Sequence, residues 1–312
     1  MEYRNLGNSG LQVSVVGLGT NNFGMRMDAA RAADVVHACL DQGITLFDTA
    51  DIYGGRGKSE EFLGAALKGR RSEAIIATKF AGPMGDGPLR AGGSRRYIMS
   101  AVEDSLRRLD TDYIDLYQMH FPDPKTPQEE TMHALDDLVR SGKVRYIGCS
   151  NYAGWQIANA AWIAKTDHLT PFISAQNQYS LLDRRIEGEV VTASKQFGLS
   201  ILPFFPLASG LLTGKYKRGE AAPEGARLSS GPQADRLLTE QNFDTVERLD
   251  AFAKERGHTL LELAFSWLAT LDYVGSVIAG ATRPEQVAAN AAAASWRLTA
   301  EEMTAVDQIT KR

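Results

Sequence analysis

Short β-rich runs alternate with longer segments of helical period along nearly all of this 312-residue chain, which constrains its fold more than any other feature. The runs at 13–19, 45–48, 74–79, 113–120, 144–149, 173–177, 200–205 and 276–279 read as eight strands. Between them, apolar residues recur every three or four positions. Ala32, Val35, Val36, Cys39 and Leu40 form one such stripe, ended by Gly43, and Ile98, Ala101, Val102, Leu106 and Leu109 form another. Repeated strand–helix units imply a parallel sheet with right-handed crossovers, and eight of them favour a closed (β/α)8 TIM barrel. An open doubly wound sheet is the alternative. No break in composition divides the chain, so residues 1–312 read as a single domain. The Gly-, Ser-, Lys- and Arg-rich stretch 207–230 reads as a long loop at the barrel mouth, on the C-terminal face.

Composition narrows the function. Hydrophobic residues are 44% and charged residues 23%, an ordinary globular balance. Thirty-four basic against 38 acidic side chains give a net charge of −4, without the basic footprint of a nucleic-acid binder. Cys39 and Cys149 make no disulfide framework, which points to a reducing cytoplasm. The N-terminus lacks a signal-peptide pattern, and no run of ~18 apolar residues predicts a membrane span. No Cys/His cluster has zinc spacing, so no metal is expected. Gly17–Gly24 lacks the G-x-G-x-x-G spacing of a dinucleotide fold and reads as the end of the first strand with its loop, near cofactor and substrate, with Gly19, Thr20, Asn21 and Asp48 as candidate cofactor contacts. Trp155, Trp162 and Trp267 lie in helical stretches and read as packing residues. Oligomeric state has no signature in the sequence.

A barrel of this kind works at the C-terminal ends of its strands. The residues there include Gly19, Thr20, Asn21, Asp48, Tyr53, Lys79, His120, Ser150, Asn151, Gln176 and Gly280. Four of them suit one task. An unperturbed phenol, with pKa about 10, is a poor acid near neutrality, and a nearby ammonium lowers it. A buried lysine needs an anion to remain charged, and an imidazole can orient a carbonyl oxygen. Tyr53 thus reads as the acid, Lys79 as its perturber, Asp48 as the lysine's partner and His120 as the orienter.

At these residues the sequence resembles the aldo-keto reductase superfamily. The motifs are Phe47-Asp48-Thr49-Ala50-Asp51-Ile52-Tyr53-Gly54, Ala77-Thr78-Lys79, the strand ending Gln118-Met119-His120, and Gly142 to Asn151. Gly210 to Tyr216 and Gly280 to Gln286 extend the likeness over nearly the whole chain. The long loop is most similar to the bacterial general-reductase and potassium-channel-β-subunit branch. The resemblance implies a barrel that binds NADPH, rather than NADH, in an extended pose and reduces aldehydes or ketones, with Tyr53 protonating the new alkoxide. It implies that Ser150, Asn151 and Gln176 hold the carboxamide. Phe205, Pro206, Leu207, Ser209, Gly210 and Leu211 would follow the pyrophosphate, with Lys215 nearby. Gly280, Thr282, Arg283, Gln286 and Asn290 would surround the adenosine end. Phe204-Phe205 stands where the branch has Tyr-Ser; Phe204 can stack but donates no hydrogen bond.

From the residues themselves, Thr282-Arg283-Pro284-Glu285 reads as a capping box opening a helix, whose N-terminus with Arg283 suits a 2′-phosphate. Phe23, Met25, Trp155 and the loop after His120 are candidate substrate walls. Two other functions fit less well. One is a cofactor-binding sensor with weak turnover. The other is a Schiff-base lyase acting through Lys79, which Asp48 opposes by keeping the amine charged.

Overall fold

Ser14 divides the first expected strand in two. Its hydroxyl donates to the Val16 carbonyl at 2.7 Å and accepts from the Thr45 N–H at 2.9 Å, so the chain turns where the β-rich run continues. In the computed structural model, which describes residues 1–223 and 225–311, the run 13–19 therefore belongs to two strands. Strand β2 (Gln12–Ser14) pairs antiparallel with β1 (Tyr3–Asn5), and β3 (Val16–Gly19) opens the main sheet.

That sheet continues through β4 (Leu46–Asp48), β5 (Ile75–Phe80), β6 (Ile114–Met119), β7 (Val144–Ser150), β8 (Phe172–Gln178), β9 (Ser200–Phe204) and β10 (Val277–Gly280). Strands β3 to β9 pair in parallel in chain order, and β10 returns to pair with β3. The remaining seam, between β9 and the segment before β10, is closed by Ile201 N–H to Tyr273 O at 2.7 Å and Gly275 N–H to Ile201 O at 3.0 Å. The result is a (β/α)8 barrel, not an open doubly wound sheet.

Helices α1 (Ala29–Asp41), α2 (Tyr53–Ala66), α3 (Arg95–Leu109), α4 (Gln128–Arg140), α5 (Gly154–Asp167) and α6 (Glu189–Phe197) follow successive strands. Between β9 and β10 lie α7 (Pro232–Leu237), α8 (Glu240–Lys254) and α9 (Leu260–Thr270); α10 (Pro284–Ala293) and α11 (Ala300–Thr310) end the chain. Their starts follow capping chemistry. Asp28 caps α1, Ser94 caps α3, and Thr259 with Glu262 forms a full capping box on α9. Among the described residues no helix is long and apolar enough to cross a membrane.

Inside the barrel, Leu46, Ala77, Leu116, Ile173, Leu202 and Ile278 form one apolar cluster with Leu6 and Val13 of the N-terminal hairpin. Burying a leucine such as Leu6 contributes roughly 1.5–3 kcal/mol. The hairpin thus corks the N-terminal end of the barrel. Arg4 fixes it there by donating to the carbonyls of Ala269 and Val274.

Two tryptophan readings need correction. Trp267 is buried, but Trp155 is 64% and Trp162 54% exposed, on the outer face of α5. That helix is apolar on most sides, so its pattern does not reveal which side faces the barrel.

Candidate active site

Asp48 ends β4, and its Oδ1 accepts from Lys79 Nζ at 2.7 Å and from Gln176 Nε2 at 2.8 Å. Lys79 Nζ donates a second bond to the Thr49 carbonyl at 2.8 Å. The lysine has no exposed surface. Burial pulls its pKa down, but Asp48 and Tyr53 outweigh burial and the net shift is upward. Lys79 is therefore a held cation and not a free amine, which removes the Schiff-base reading.

Tyr53 begins α2, but the next four residues leave helical geometry at φ values of 66°, 75°, 75° and 118°. Gly54 serves this turn specifically, since a Cβ there would stand 2.5 Å from the Phe23 carbonyl oxygen. The Tyr53 ring meets His120 edge-on at 5.7 Å, and Lys79 Nζ lies 5.2 Å from its centroid. One expectation fails here. Burial raises the phenol's pKa by more than Lys79 lowers it, so Tyr53 keeps its proton more firmly than the sequence predicts. The Lys79 charge opposes that shift without reversing it.

Phe121 stacks on His120 at 4.2 Å and 9°. Burial and then the Lys79 charge push the imidazole pKa down to about 2, so His120 is neutral and available as a hydrogen-bond donor.

Asp48, Tyr53 and His120 line a cleft of about 650 Å³, within the range of small-molecule and cofactor sites. Asp48, Tyr53, His120, Ser150, Asn151, Gln176, Gly19 and Asn21 line it. So do Phe204, Phe205, Pro206, Leu207, Ser209, Gly210, Lys215, Gly280, Thr282, Gln286 and Asn290. Asn151, with φ of 60°, donates through Nδ2 to the His120 carbonyl and to Ser150 Oγ. Phe205, Ala208 and Ser209 also take positive φ, so backbone strain concentrates on the segment after β9.

Other expected residues lie elsewhere. Lys79 sits behind Asp48. Thr20 is fully buried, with its hydroxyl on the Asp48 carbonyl and near Ser59 Oγ, so it supports the wall without forming it. Leu211 faces the core. Arg283 is exposed at the N-cap of α10 and outside the cleft lining. The expected capping box is absent: no side chain caps α10, and Gln286 Oε1 instead accepts from the Thr282 N–H at 2.8 Å. Gln286 reaches that donor first, leaving Thr282 one residue ahead of the cap. Of the candidate substrate walls, Phe121 lines the cleft, whereas Phe23 is buried and Met25 and Trp155 point to solvent.

Sequence reading missed Arg26 and Arg227, which line the cleft beside Asn22 of the first loop. Arg227 stands in the loop already read as a mouth loop, and that was its only signal. Its Nη2 donates to Asn22 Oδ1 at 3.0 Å and Asn21 Oδ1 at 3.4 Å, tying that loop to the one after β3. The amide side chains that line the cleft suit a carboxamide, and its cations Arg26, Lys215 and Arg227 suit phosphates.

Residues 15–311 match the aldo/keto reductase family. The chain belongs to that family. It is 38% identical over 299 residues to a probable voltage-gated potassium channel subunit beta of Oryza sativa subsp. japonica, covering 93% of this chain and 90% of that protein. It is 37% identical to the aldo-keto reductase YhdN of Bacillus subtilis, with 99% and 93% covered. It is 35% identical to the L-glyceraldehyde 3-phosphate reductase of Escherichia coli K12, with 99% and 92% covered. This aldo/keto reductase is therefore an oxidoreductase of a family that reduces carbonyl compounds and generally uses NAD(P)H.

Proposed function

We propose that this aldo/keto reductase uses NADPH to reduce an aldehyde or ketone, with Tyr53 as proton donor. The observation that carries the reading is the buried Lys79–Asp48 pair placed beside Tyr53 and His120, with Asp48, Tyr53 and His120 lining one cleft. The bound cofactor supplies a hydride to the carbonyl carbon. His120, neutral, donates to the carbonyl oxygen and orients it. The Tyr53 O–H bond breaks, and its proton goes to the same oxygen, which becomes a hydroxyl. The Lys79 ammonium stabilises the phenolate left behind, and solvent restores its proton.

Along the cleft, Ser150, Asn151 and Gln176 would hold the carboxamide, Lys215 and Arg227 the phosphates, and Thr282, Gln286 and Asn290 the adenosine end. Two cations without an acidic partner among the described residues favour the more highly charged cofactor.

The test is cofactor oxidation with a panel of aldehydes, ketones and sugar phosphates, using NADPH and NADH in parallel. Turnover with NADPH at several-fold higher kcat/KM than with NADH is the expected result. A second reading, a cofactor-binding sensor with weak turnover, is favoured by the likeness to potassium-channel subunits. Tight NADPH binding without steady-state turnover across the panel would select it.

A further inference from the structure

Immediately after Tyr53 the backbone takes positive φ at four consecutive residues, Gly54, Gly55, Arg56 and Gly57. Residues with a Cβ visit this geometry singly and at a cost, and Arg56 adopts it with φ of 75° and ψ of 65°. Such a run persists only where its surroundings hold it. Tyr53 enters the run with its N–H on the Ala50 carbonyl at 3.1 Å.

The far side of the turn is held from behind. Ser59 Oγ lies 2.8 Å from Thr20 Oγ1 and 2.9 Å from Thr49 Oγ1. Glu60 has no exposed surface. It accepts from Thr78 Oγ1 on β5 at 2.5 Å and, with its other oxygen, from Arg108 Nε on α3 at 2.6 Å. Thr78 precedes Lys79, so Glu60 ties the helix that starts at Tyr53 to the strand that carries the ammonium beside it.

Arg108 also touches the turn itself. A Cβ at Gly57, where φ is 118°, would stand 2.5 Å from Arg108 Cδ and 3.0 Å from Nε. The arginine stem thus fills the space where a side chain at that position would begin. The Arg108 side chain is 11% exposed. Burial pulls its pKa down, but Glu60, then Asp51 and Asp104, outweigh burial and keep the guanidinium charged. Neither Glu60 nor Arg108 lines the cleft.

We propose that Arg108 and Glu60 are positioning residues for Tyr53: the arginine stem, laid across Gly57 and pinned by Glu60, holds the left-handed turn that presents the phenol beside Lys79 and His120. This deepens the reductase reading and rests on its assignment of Tyr53 as proton donor.

The test compares the full-length parent with Arg108→Gln, Arg108→Lys and the double variant Arg108→Met/Glu60→Gln. The double variant leaves no lone charge where the pair was, so it folds even where Arg108→Gln does not; urea midpoints verify this. A misplacement of 1 Å costs up to about 10²-fold, so kcat falls about 10–100-fold in Arg108→Gln and in the double variant. NADPH affinity, read by fluorescence titration, stays within about threefold. The solvent deuterium isotope effect on kcat rises, because the Tyr53 proton now leaves in the slow step. Arg108→Lys restores the charge without the forked geometry and recovers part of kcat.

Two glycine variants separate the contact from backbone strain. Gly57→Ala drives a Cβ against Arg108 and reproduces the loss, whereas Gly55→Ala, with φ of 75° and open space around its Cβ, loses less. Hydrogen exchange reads the turn without turnover: the amides of 54–60 exchange faster in Arg108→Gln and in the double variant, and those of α4 and α5 do not. A lowered urea midpoint with kcat or the exchange of 54–60 unchanged makes the pair merely structural and overturns the proposal. If the parent neither binds nor oxidises NADPH, the reductase reading falls, and the exchange of 54–60 alone decides whether Arg108 and Glu60 hold the turn.

Discussion

Lys79 Nζ stands 2.7 Å from Asp48 Oδ1, with the lysine side chain wholly buried and that of Asp48 only 5% exposed. Removing one partner leaves an uncompensated buried charge, which costs about 3–5 kcal/mol. Asp48→Asn should therefore lower the urea midpoint clearly. The double variant Asp48→Asn/Lys79→Met should recover much of the lost stability while remaining inactive. Equilibrium urea unfolding of the parent, the two singles and the double checks this.

Tyr53→Phe removes the proposed proton donor and little else, because the ring keeps its edge contact with His120. General-acid catalysis contributes about 10²–10⁴-fold, so kcat should fall by that factor. NADPH affinity, read by fluorescence titration, should stay within about threefold. Turnover within tenfold of the parent would remove Tyr53 as the donor.

His120 sets an acid limit on stability. Its folded pKa, about 2, lies below the unfolded value of about 6.5. Between these values the unfolded chain binds a proton that the folded protein does not. The contribution is complete above pH 6.5 and is lost as pH falls toward 2. His120→Gln should lose less stability than the parent between pH 7 and pH 4, measured by urea midpoints at each pH.

Asp51 acts in the opposite direction. It is buried. Burial and then Glu60 raise its pKa to about 8, against Arg108, the Ile52 backbone N–H and Lys79, which lower it. The folded protein therefore holds a proton that the unfolded chain releases between about pH 4 and pH 8, and stability drops as pH rises through that window. Asp51→Asn, a neutral mimic, should unfold at higher urea than the parent at pH 8, with the difference shrinking toward pH 4.

Much of this was legible in the residues. Alternating runs predicted the barrel because each strand and stripe carries its own period. Asp48, Tyr53 and His120 could be placed because strand ends fix where side chains emerge. What escaped depends on contacts between distant parts of the chain. Ser14 meets Thr45 across 31 positions, and that bond breaks a run that looks continuous. Arg227 reaches Asn22 across 205 positions, with no spacing to announce it. The direction of the Tyr53 shift depended on how far burial would outweigh a neighbouring charge, which only the folded packing decides.

With Leu6 and Val13 filling the barrel from its N-terminal end, traffic into and out of the cleft is confined to the opposite rim. The pole that the hairpin closes is thereby reserved for holding the strands together, and the residues that line the cleft gather at the other pole.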